Sequence, residues 1–442
     1  MKARVFPSGF LWGAATSSYQ IEGATKADGR SESVWDRFAA TPGNVVNGAT
    51  GDPACDHYHR WQEDIGLMRE LGLGAYRFSV AWPRVMSGGQ VNEVGLDFYD
   101  RLVDGLLEAG IEPFVTLYHW DHPQSVEESG GWRNRDTAYA FAEYAAAVVD
   151  RLGDRVTHWL THNEPWVVAH LGHRTGQHAP GLIDSGEELD VAHHLLLSHG
   201  LAVEALRAAR RGLKIGIALN LEPRSPRSAH PLDVAAARLE ESLMNEWFLD
   251  PLVGKGYPSD TVEQAAWRAS VVLDGDLKMI SQPLDFVGLN YYRVEIVADP
   301  SVPEADRPQS ALHPEEVTAM GWPVTPHGMG EMLALLAGYG FESIYVTENG
   351  AAYTDQVESD GTIRDLDRQR YLDQHLRAAS EAIAAGIPLH GYFVWSLFDN
   401  FEWSFGYSRR FGLIHVDFGT QKRTLKQSAR WYQQVIAGNG LE

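Results

Sequence analysis

Short runs of β-branched and aromatic residues alternate with longer helical patterns along almost the whole of this 442-residue chain. The short runs suit buried strands, and the longer patterns place apolar residues on one helical face. Strands that alternate with helices form a parallel sheet, and eight such units predict a closed (β/α)8 barrel. The eight predicted strands lie within residues 10–15, 76–80, 113–119, 156–162, 213–219, 284–290, 342–350 and 390–396.

Six helices are predicted between these strands. The alternative fold is a doubly wound open sheet, but no G-x-G-x-x-G motif follows the first predicted strand. Because no change of composition marks a domain boundary, we expect an α/β protein with one TIM-barrel domain over residues 1–442. Two long segments, residues 30–56 and 298–316, are interpreted as loop insertions at the C-terminal face. The predicted helices cover residues 61–71, 98–106, 138–152, 193–210, 235–249 and 366–385.

Charge and cysteine content limit the classes of partner and cofactor. The formal net charge of −22 and the pI near 5.2 argue against binding to nucleic acid or to an anionic membrane surface. A single cysteine, Cys55, excludes an internal disulfide and a cysteine-based zinc site. The sequence contains neither the apolar stretch of a signal peptide nor a membrane-spanning run, so we expect a cytoplasmic protein. The oligomeric state stays open between a monomer and a homo-oligomer.

The ends of the predicted strands carry an unusual set of polar and aromatic side chains. In such barrels the chemistry sits at the carboxyl ends of the strands. Amide, imidazole, carboxylate and phenol groups make directed hydrogen bonds, and indole rings offer flat apolar faces, a mixture that suits a sugar. One such residue alone is more typical of a turn or of the core, but the set favours a carbohydrate site. Its members are Gln20, His119, Trp120, Asn163, Asn220, Asn290, Tyr292, Trp395, Glu402 and Trp403.

Two glutamates, Glu164 and Glu348, directly end predicted barrel strands, the fourth and the seventh. A charge at such a position is costly to bury unless it is paired or has a chemical role. Each could be an ordinary charged residue at a strand exit, but closure of the barrel could bring the two together. Hydrolysis of a glycosidic bond needs such a pair, one carboxyl group to protonate the leaving oxygen and one to attack or to activate water.

The chain also resembles the family 1 glycoside hydrolases, the retaining β-glucosidases and their relatives, over essentially its whole length. The shared motifs begin with F-P-S-G-F-L-W-G-A-A-T-S-S-Y-Q-I-E-G at Phe6 and end with K-R-T-L-K-Q-S-A-R-W-Y at Lys422. Between them lie Y-R-F-S-V-A-W-P-R, L-Y-H-W-D-H-P, N-E-P, G-L-N-Y-Y, Y-V-T-E-N-G and W-S-L-F-D-N-F-E-W. The resemblance implies a (β/α)8 barrel and hydrolysis with retention of anomeric configuration.

The resemblance also assigns roles to residues. It implies that Glu164 of N-E-P is the general acid/base and that Glu348 of T-E-N-G is the nucleophile, supported by Arg77 and Tyr292. Trp322 would lie beside the leaving group. The residues implied to hold the sugar are Gln20, His119, Asn163, Trp395, Glu402 and Trp403, with Trp120, Asn220 and Asn290 as further contributors. A retaining mechanism would place the two carboxyl groups about 5–5.5 Å apart.

These roles imply small-molecule β-glycoside substrates such as cellobiose and aryl or alkyl β-glucosides, with β-galactosides and β-fucosides as side activities. The carboxylate of Glu402 would repel a phosphate, which favours unphosphorylated glycosides. The sequence departs from the family at His162, where leucine usually precedes N-E-P, and at Pro323, where glutamate usually follows G-W. We expect His162 to point into the barrel wall rather than to perturb Glu164. The departure at Pro323 bears on leaving-group preference.

Two other classes of protein remain as alternatives. A non-catalytic sugar-binding barrel would keep the tryptophans and amides but would have lost one carboxylate, and both are present here. A metal-dependent barrel hydrolase would need a cluster of histidines. The histidines available for it are His57, His59, His119, His122 and His162, and they lack the spacing of an H-E-x-x-H helix. We therefore expect neither a metal nor another cofactor.

Overall fold

Eight parallel strands form a closed barrel in the computed structural model, which describes residues 4–184, 186–307 and 316–442. The strands follow one another around the barrel in chain order, and the eighth pairs with the first. Every predicted strand is present, so the closed barrel is confirmed and the open-sheet alternative is wrong. The strands are β1 Leu11–Ala15, β2 Ala75–Ser79, β3 Glu112–Tyr118, β4 His158–Asn163, β5 Lys214–Asn220, β6 Val287–Asn290, β7 Ile344–Asn349 and β8 Leu389–Trp395.

An outer layer of helices follows the strands. The six predicted helices are present, and two further ones, α6 and α8, were not predicted. Three glycines lower the helix propensity of α6, although its other residues include many good helix formers. The helices are α1 His57–Leu71, α2 Glu93–Glu108, α3 Asp136–Leu152, α4 Glu188–Ala209, α5 Pro231–Glu241, α6 Pro326–Gly338, α7 Leu366–Ala384 and α8 Gln427–Gly438. A π-helical turn, Ser242–Glu246, extends α5 into a further helical segment, Trp247–Leu252.

Short helices and pairs of short strands lie outside the eight barrel strands and the main helices. One predicted insertion, residues 30–56, contains a short helix, whereas the other is described only in part because residues 308–315 lie outside the described ranges. The short helices are Ser18–Ile21, Val34–Ala40, Trp82–Val85, Gln124–Glu128, Pro165–His173, Ser259–Gln264 and Asp276–Ile280. Paired short strands are Arg4–Val5 with Gly440–Leu441, Met86–Ser87 with Gln90–Val91, Arg224–Pro226 with Glu295–Val297, and Ile414–Asp417 with Lys422–Leu425.

Aromatic side chains fill the lower interior of the barrel. The ring centroid of Phe114 lies 4.9 Å from that of Phe393 and 5.4 Å from that of Tyr345, and Phe286 lies 5.4 Å from Tyr345. Because these rings come from β3, β7, β8 and the segment before β6, they close the barrel below the strand ends. The interior is therefore a packed core, and a cavity can form only at the carboxyl ends.

The carboxyl ends of β5, β6 and β7 bring three polar residues into register. Asn290 is paired with Asn220 on one side and with Glu348 on the other, next to an irregularity between Leu289 and Asn290. These polar residues at one end of an otherwise apolar barrel mark the position of the site.

Within the described ranges, no helix is long and apolar enough to cross a bilayer.

Candidate active site

Glu348 lies near the end of β7 and is buried, with 3% of its surface exposed. Arg77 on β2 donates from Nη1 to its Oε1 at 2.5 Å, and the Tyr292 hydroxyl donates to its Oε2 at 2.6 Å. Each carboxylate oxygen thus accepts a short hydrogen bond, one of them from a fixed cation. Hydrogen bonds and charges of this kind favour the ionised form of a carboxyl group.

Glu164 follows β4 directly and precedes the short helix Pro165–His173. Its backbone is left-handed, with φ at +49°, which turns the chain sharply between strand and helix. The carboxyl group is buried, and its Oε1 accepts a hydrogen bond of 2.7 Å from the amide of Asn290. No ion pair involves Glu164 within the described part of the chain. Glu164 therefore lacks the direct cationic partner that Glu348 has.

The pKa values of the two carboxyl groups respond to these surroundings. Burial raises the pKa of Glu164 well above its ordinary value, and the charge of Glu348 raises it further. Burial also raises the pKa of Glu348, but the Arg77 cation and the Tyr292 hydroxyl act to lower it. Glu348 consequently loses its proton before Glu164 does. The pair then consists of one ionised carboxylate, which can act as a nucleophile, and one protonated carboxyl group, which can donate a proton. The two groups differ because of their surroundings and not because of their residue type.

Two asparagine amides connect the carboxyl groups. Asn163 accepts from Arg77 Nη2 at 2.6 Å, and the amide of Asn290 donates to the same oxygen at 2.9 Å. The hydroxyl of Thr347 donates to Asn290 Oδ1 at 2.7 Å and so fixes the orientation of that amide. The network joins β2, β4, β6 and β7. Thr347 was missed in the sequence analysis, because nothing in T-E-N-G reveals that its hydroxyl reaches Asn290.

An aromatic and amide wall lies beside the carboxyl pair. The His119 ring is nearly parallel to the indole rings of Trp395 and Trp403, at centroid distances of 5.7 and 6.0 Å. His119 Nε2 lies 3.1 Å from the Asn163 amide, and Trp120 donates to the Asn163 carbonyl at 2.8 Å. Burial lowers the pKa of His119 well below its ordinary range, and Arg77 adds to this effect. The imidazole is thus neutral, with one buried nitrogen lacking a partner among the described residues.

Glu402 and Gln20 complete this wall. Glu402 is buried, and its Oε2 has no hydrogen-bond partner within the described ranges. Burial raises the pKa of Glu402 to about 8, and the charge of Glu348 contributes to the shift. Gln20 donates to Asn400 Oδ1 at 3.1 Å and to the Phe401 carbonyl at 2.9 Å, and it accepts from Ser17 at 2.6 Å. Its amide orientation is therefore set by neighbours whose contacts with it were not predicted from the sequence.

The outer side of the site is more open. Trp322 is half-buried, and its ring centroid lies 5.5 Å from that of Tyr292. Asn220 is buried at the end of β5. Trp166, which was not predicted, is also half-buried and follows Glu164 by two residues, with its ring stacked 4.4 Å from His170. Its place directly after N-E-P was the signal available in the sequence.

His162 points into the barrel wall, as expected. Its Nε2 lies 2.8 Å from the Ser198 hydroxyl on α4, and its ring is 4.6 Å from Phe141 on α3. Another of the histidines considered for metal binding, His57, pairs with Asp64 at 2.8 Å. Across residues 4–184, 186–307 and 316–442, no group of three or more histidine, cysteine, aspartate or glutamate side chains is arranged to hold a metal ion.

Comparison with known proteins gives matches over the full length. A sequence model described as Glycosyl hydrolase family 1 matches residues 2–441. Beta-glucosidase A of Acetivibrio thermocellus is 48% identical over 448 aligned residues that cover 100% of both chains. A bifunctional beta-D-glucosidase/beta-D-fucosidase of Bifidobacterium breve is 44% identical and covers 98% of both chains. The solved Beta-glucosidase from Thermotoga maritima in complex with glucoimidazole has a TM-score of 0.94 at 47% identity, over 99% of this chain and 100% of that one.

Proposed function

This chain belongs to glycosyl hydrolase family 1, and on that premise we propose that it is a retaining, exo-acting β-glucosidase. It releases terminal, non-reducing β-D-glucosyl residues by double displacement through a covalent glycosyl-enzyme intermediate. Residues 1–442 form one catalytic domain. An exo-acting enzyme needs a pocket with a closed end, and the buried side chains of Gln20, Glu402 and Trp403 beside the carboxyl pair support that assignment.

The observation that carries the proposal is the unequal surroundings of the two buried carboxyl groups. Glu348 accepts from a cation and from a phenol, whereas Glu164 accepts from a neutral amide. Ionised Glu348 attacks the anomeric carbon while protonated Glu164 gives its proton to the leaving oxygen. Glu164, now ionised, then takes a proton from the water that hydrolyses the intermediate. The same residue can change roles because its proton has just departed with the leaving group.

The sugar-binding wall supports an unphosphorylated glycoside. Neutral His119, the oriented amide of Gln20 and the carboxyl group of Glu402 offer hydrogen bonds to hydroxyl groups, and Trp395 and Trp403 offer apolar faces to the C–H side of a sugar. Glu402 offers a phosphate no positive charge, and its ionised fraction repels one. β-Glucosides such as cellobiose and aryl or alkyl β-glucosides are the main substrates. β-Fucosides and β-galactosides are side activities, consistent with the bifunctional relative from Bifidobacterium breve.

A panel of aryl β-glycosides and short β-linked glucose oligomers, compared by kcat/KM, tests the substrate class. Proton NMR during the first turnovers tests the mechanism, because a retaining enzyme releases β-glucose before mutarotation produces the α-anomer. Initial release of α-glucose would contradict the double displacement.

The same substrates, tested for binding as well as turnover and with and without a chelator, separate the two alternative classes of protein. Sugar binding without turnover would indicate a non-catalytic barrel. Loss of activity in a chelator, with recovery on addition of zinc, would indicate a metal-dependent hydrolase. A cytoplasmic location is supported by the single buried thiol of Cys55, which suits a reducing compartment. Fractionation of the source cells tests that assignment.

A further inference from the structure

Gln20 and His119, two side chains of the sugar-binding wall, come from different strand ends. Gln20 lies on the short helix Ser18–Ile21, which follows β1, whereas His119 directly follows β3. No hydrogen bond joins the two side chains within the described part of the chain. A sugar that binds both of them needs a fixed distance between them, so other residues must set their relative position.

Three buried side chains are hydrogen-bonded in series between these strand ends. The hydroxyl of Ser79, the last residue of β2, donates to the Ser18 hydroxyl at 3.0 Å, and the Ser18 hydroxyl donates to Asp121 Oδ2 at 2.6 Å. The backbone N–H of Ser18 also donates to Ser79 Oγ at 2.8 Å. All three residues are buried. The first residue of the helix that carries Gln20 is thus held both from β2 and from the segment after β3.

Asp121 depends on Ser18 for its side-chain hydrogen bonding. Its other oxygen, Oδ1, is buried and has no hydrogen-bond partner within residues 4–184, 186–307 and 316–442. Burial raises the pKa of Asp121 to about 7, and the hydrogen bond from Ser18 acts to lower it. Removal of the Ser18 hydroxyl would leave a buried carboxyl group without a side-chain donor, which is costly and favours movement of the segment that carries it.

Each end of the contact between Ser18 and Asp121 is close in sequence to a sugar-binding side chain. Gln20 follows Ser18 by two residues in the same short helix, and Asp121 follows His119 by two residues. Trp120 lies between His119 and Asp121 with a left-handed backbone, φ +78°, and its indole donates to a carbonyl of β4 at 2.8 Å. The link from Asp121 to His119 is therefore a fixed turn, and a displacement at either end of the contact is passed on to the wall.

We propose that Asp121 is a positioning residue for sugar binding, which through Ser18 fixes the helix that carries Gln20 relative to His119. The proposal rests on the function proposed above and adds a fully buried residue to the groups that determine recognition of the sugar. A hydrogen bond between uncharged groups is worth about fivefold in kcat/KM. A loss of that size or more is expected when the two wall side chains are displaced.

The test compares the Ser18→Ala and Asp121→Ala variants by kcat/KM for 4-nitrophenyl β-glucoside and for its monodeoxy analogues, each of which lacks one hydroxyl group of the glucose. Gln20→Ala and His119→Ala first show which hydroxyls these side chains bind, because removal of such a hydroxyl costs those variants less than it costs the unaltered protein. Ser18→Ala and Asp121→Ala are expected to lower kcat/KM for the complete glucoside by about fivefold or more. They are also expected to lose preference for the same hydroxyls.

Analogues that lack these hydroxyls give the second readout. For them the loss in Ser18→Ala and Asp121→Ala should shrink to about twofold or less, because the displaced side chains no longer have a partner to lose. The same measurement shows that both variants are folded. Ser228→Ala is the matched control, since the Ser228 hydroxyl donates to buried Asp233 at the same distance of 2.6 Å, outside the sugar-binding wall. It should leave the preference among the analogues unchanged.

The outcomes separate this proposal from the function on which it rests. An equal fall on the complete glucoside and on every analogue would overturn the positioning role, because it would assign Ser18 and Asp121 a general structural role. Unchanged kinetics in both variants, or a lost preference for hydroxyls other than those bound by Gln20 and His119, would overturn it as well. An unaltered protein that hydrolyses no β-glucoside would instead overturn the proposed function.

Discussion

Replacement of Tyr292 by phenylalanine should raise the pKa of Glu348 and move the acid limb of the pH–rate profile upward. The Tyr292 hydroxyl donates to Glu348 Oε2 at 2.6 Å, and phenylalanine keeps the ring that lies beside Trp322. A hydrogen bond to a charged group contributes about 2 kcal/mol. Because the bond stabilises the ionised carboxylate, its loss favours the protonated form. At 1.36 kcal/mol per pKa unit, the shift is about 1.5 units upward.

The assay is kcat/KM for an aryl β-glucoside from pH 4 to pH 9, because this parameter reports the ionisations of the free enzyme. The plateau above the shifted limb should also fall by about tenfold or more, since the nucleophile loses one of its two short contacts. Tyr291→Phe is the matched control. The Tyr291 hydroxyl donates to the Thr325 carbonyl at 2.6 Å rather than to Glu348. An acid limb at the same pH in Tyr292→Phe as in the unaltered protein would refute the assignment of Glu348 as the group that must be ionised.

Further predictions concern the carboxyl pair and the turn after the nucleophile. Glu164→Gln should lose or displace the basic limb and lower kcat/KM for cellobiose by about 10²–10⁴-fold, and a profile unchanged by this substitution would contradict its role as the acid. Glu348→Ala should abolish hydrolysis while the protein still folds and binds a sugar, as circular dichroism and calorimetry would show, and residual turnover at a substantial rate would assign the nucleophile elsewhere. Gly350→Ala should destabilise the protein by about 1–3 kcal/mol or more, because its Cβ would lie 1.7 Å from the carbonyl oxygen of Trp395. Gly330→Ala in α6, where the added Cβ meets nothing within 4 Å, should leave chemical denaturation unchanged or shift it toward greater stability.

The arrangement of the site explains why burial does not make the two carboxyl groups alike. Burial alone would raise both pKa values and leave two neutral acids. Arg77 provides the difference, because one guanidinium binds Glu348 through Nη1 and the Asn163 amide through Nη2. Asn163 in turn accepts from Asn290, which donates to Glu164. The cation is therefore directed to one carboxyl group, and the other receives only an amide.

The alternation of strands and helices was sufficient to predict the barrel, because the periodicity of apolar residues records which faces are buried. It also placed Glu164 and Glu348 at strand ends, where closure brings residues distant in sequence together. Two helices were less visible. Three glycines lower the helix propensity of α6, and the one at position 328 is required by packing, since a Cβ there would lie 2.3 Å from the Tyr291 hydroxyl. Local composition could not reveal that constraint.

Only the tertiary structure decided which side chains orient the catalytic groups. Thr347 reaches Asn290, Asn400 fixes Gln20, and Arg293 lies on Trp322, yet none of these contacts follows a spacing along the chain. Such contacts depend on the register between neighbouring strands and on the paths of the loops beyond them. The sequence by itself determined the barrel, the two carboxyl groups and the sugar-like character of the strand ends. Three-dimensional closure determined the difference between the two carboxyl groups, because that difference arises from a guanidinium and a phenol carried by other strands and loops.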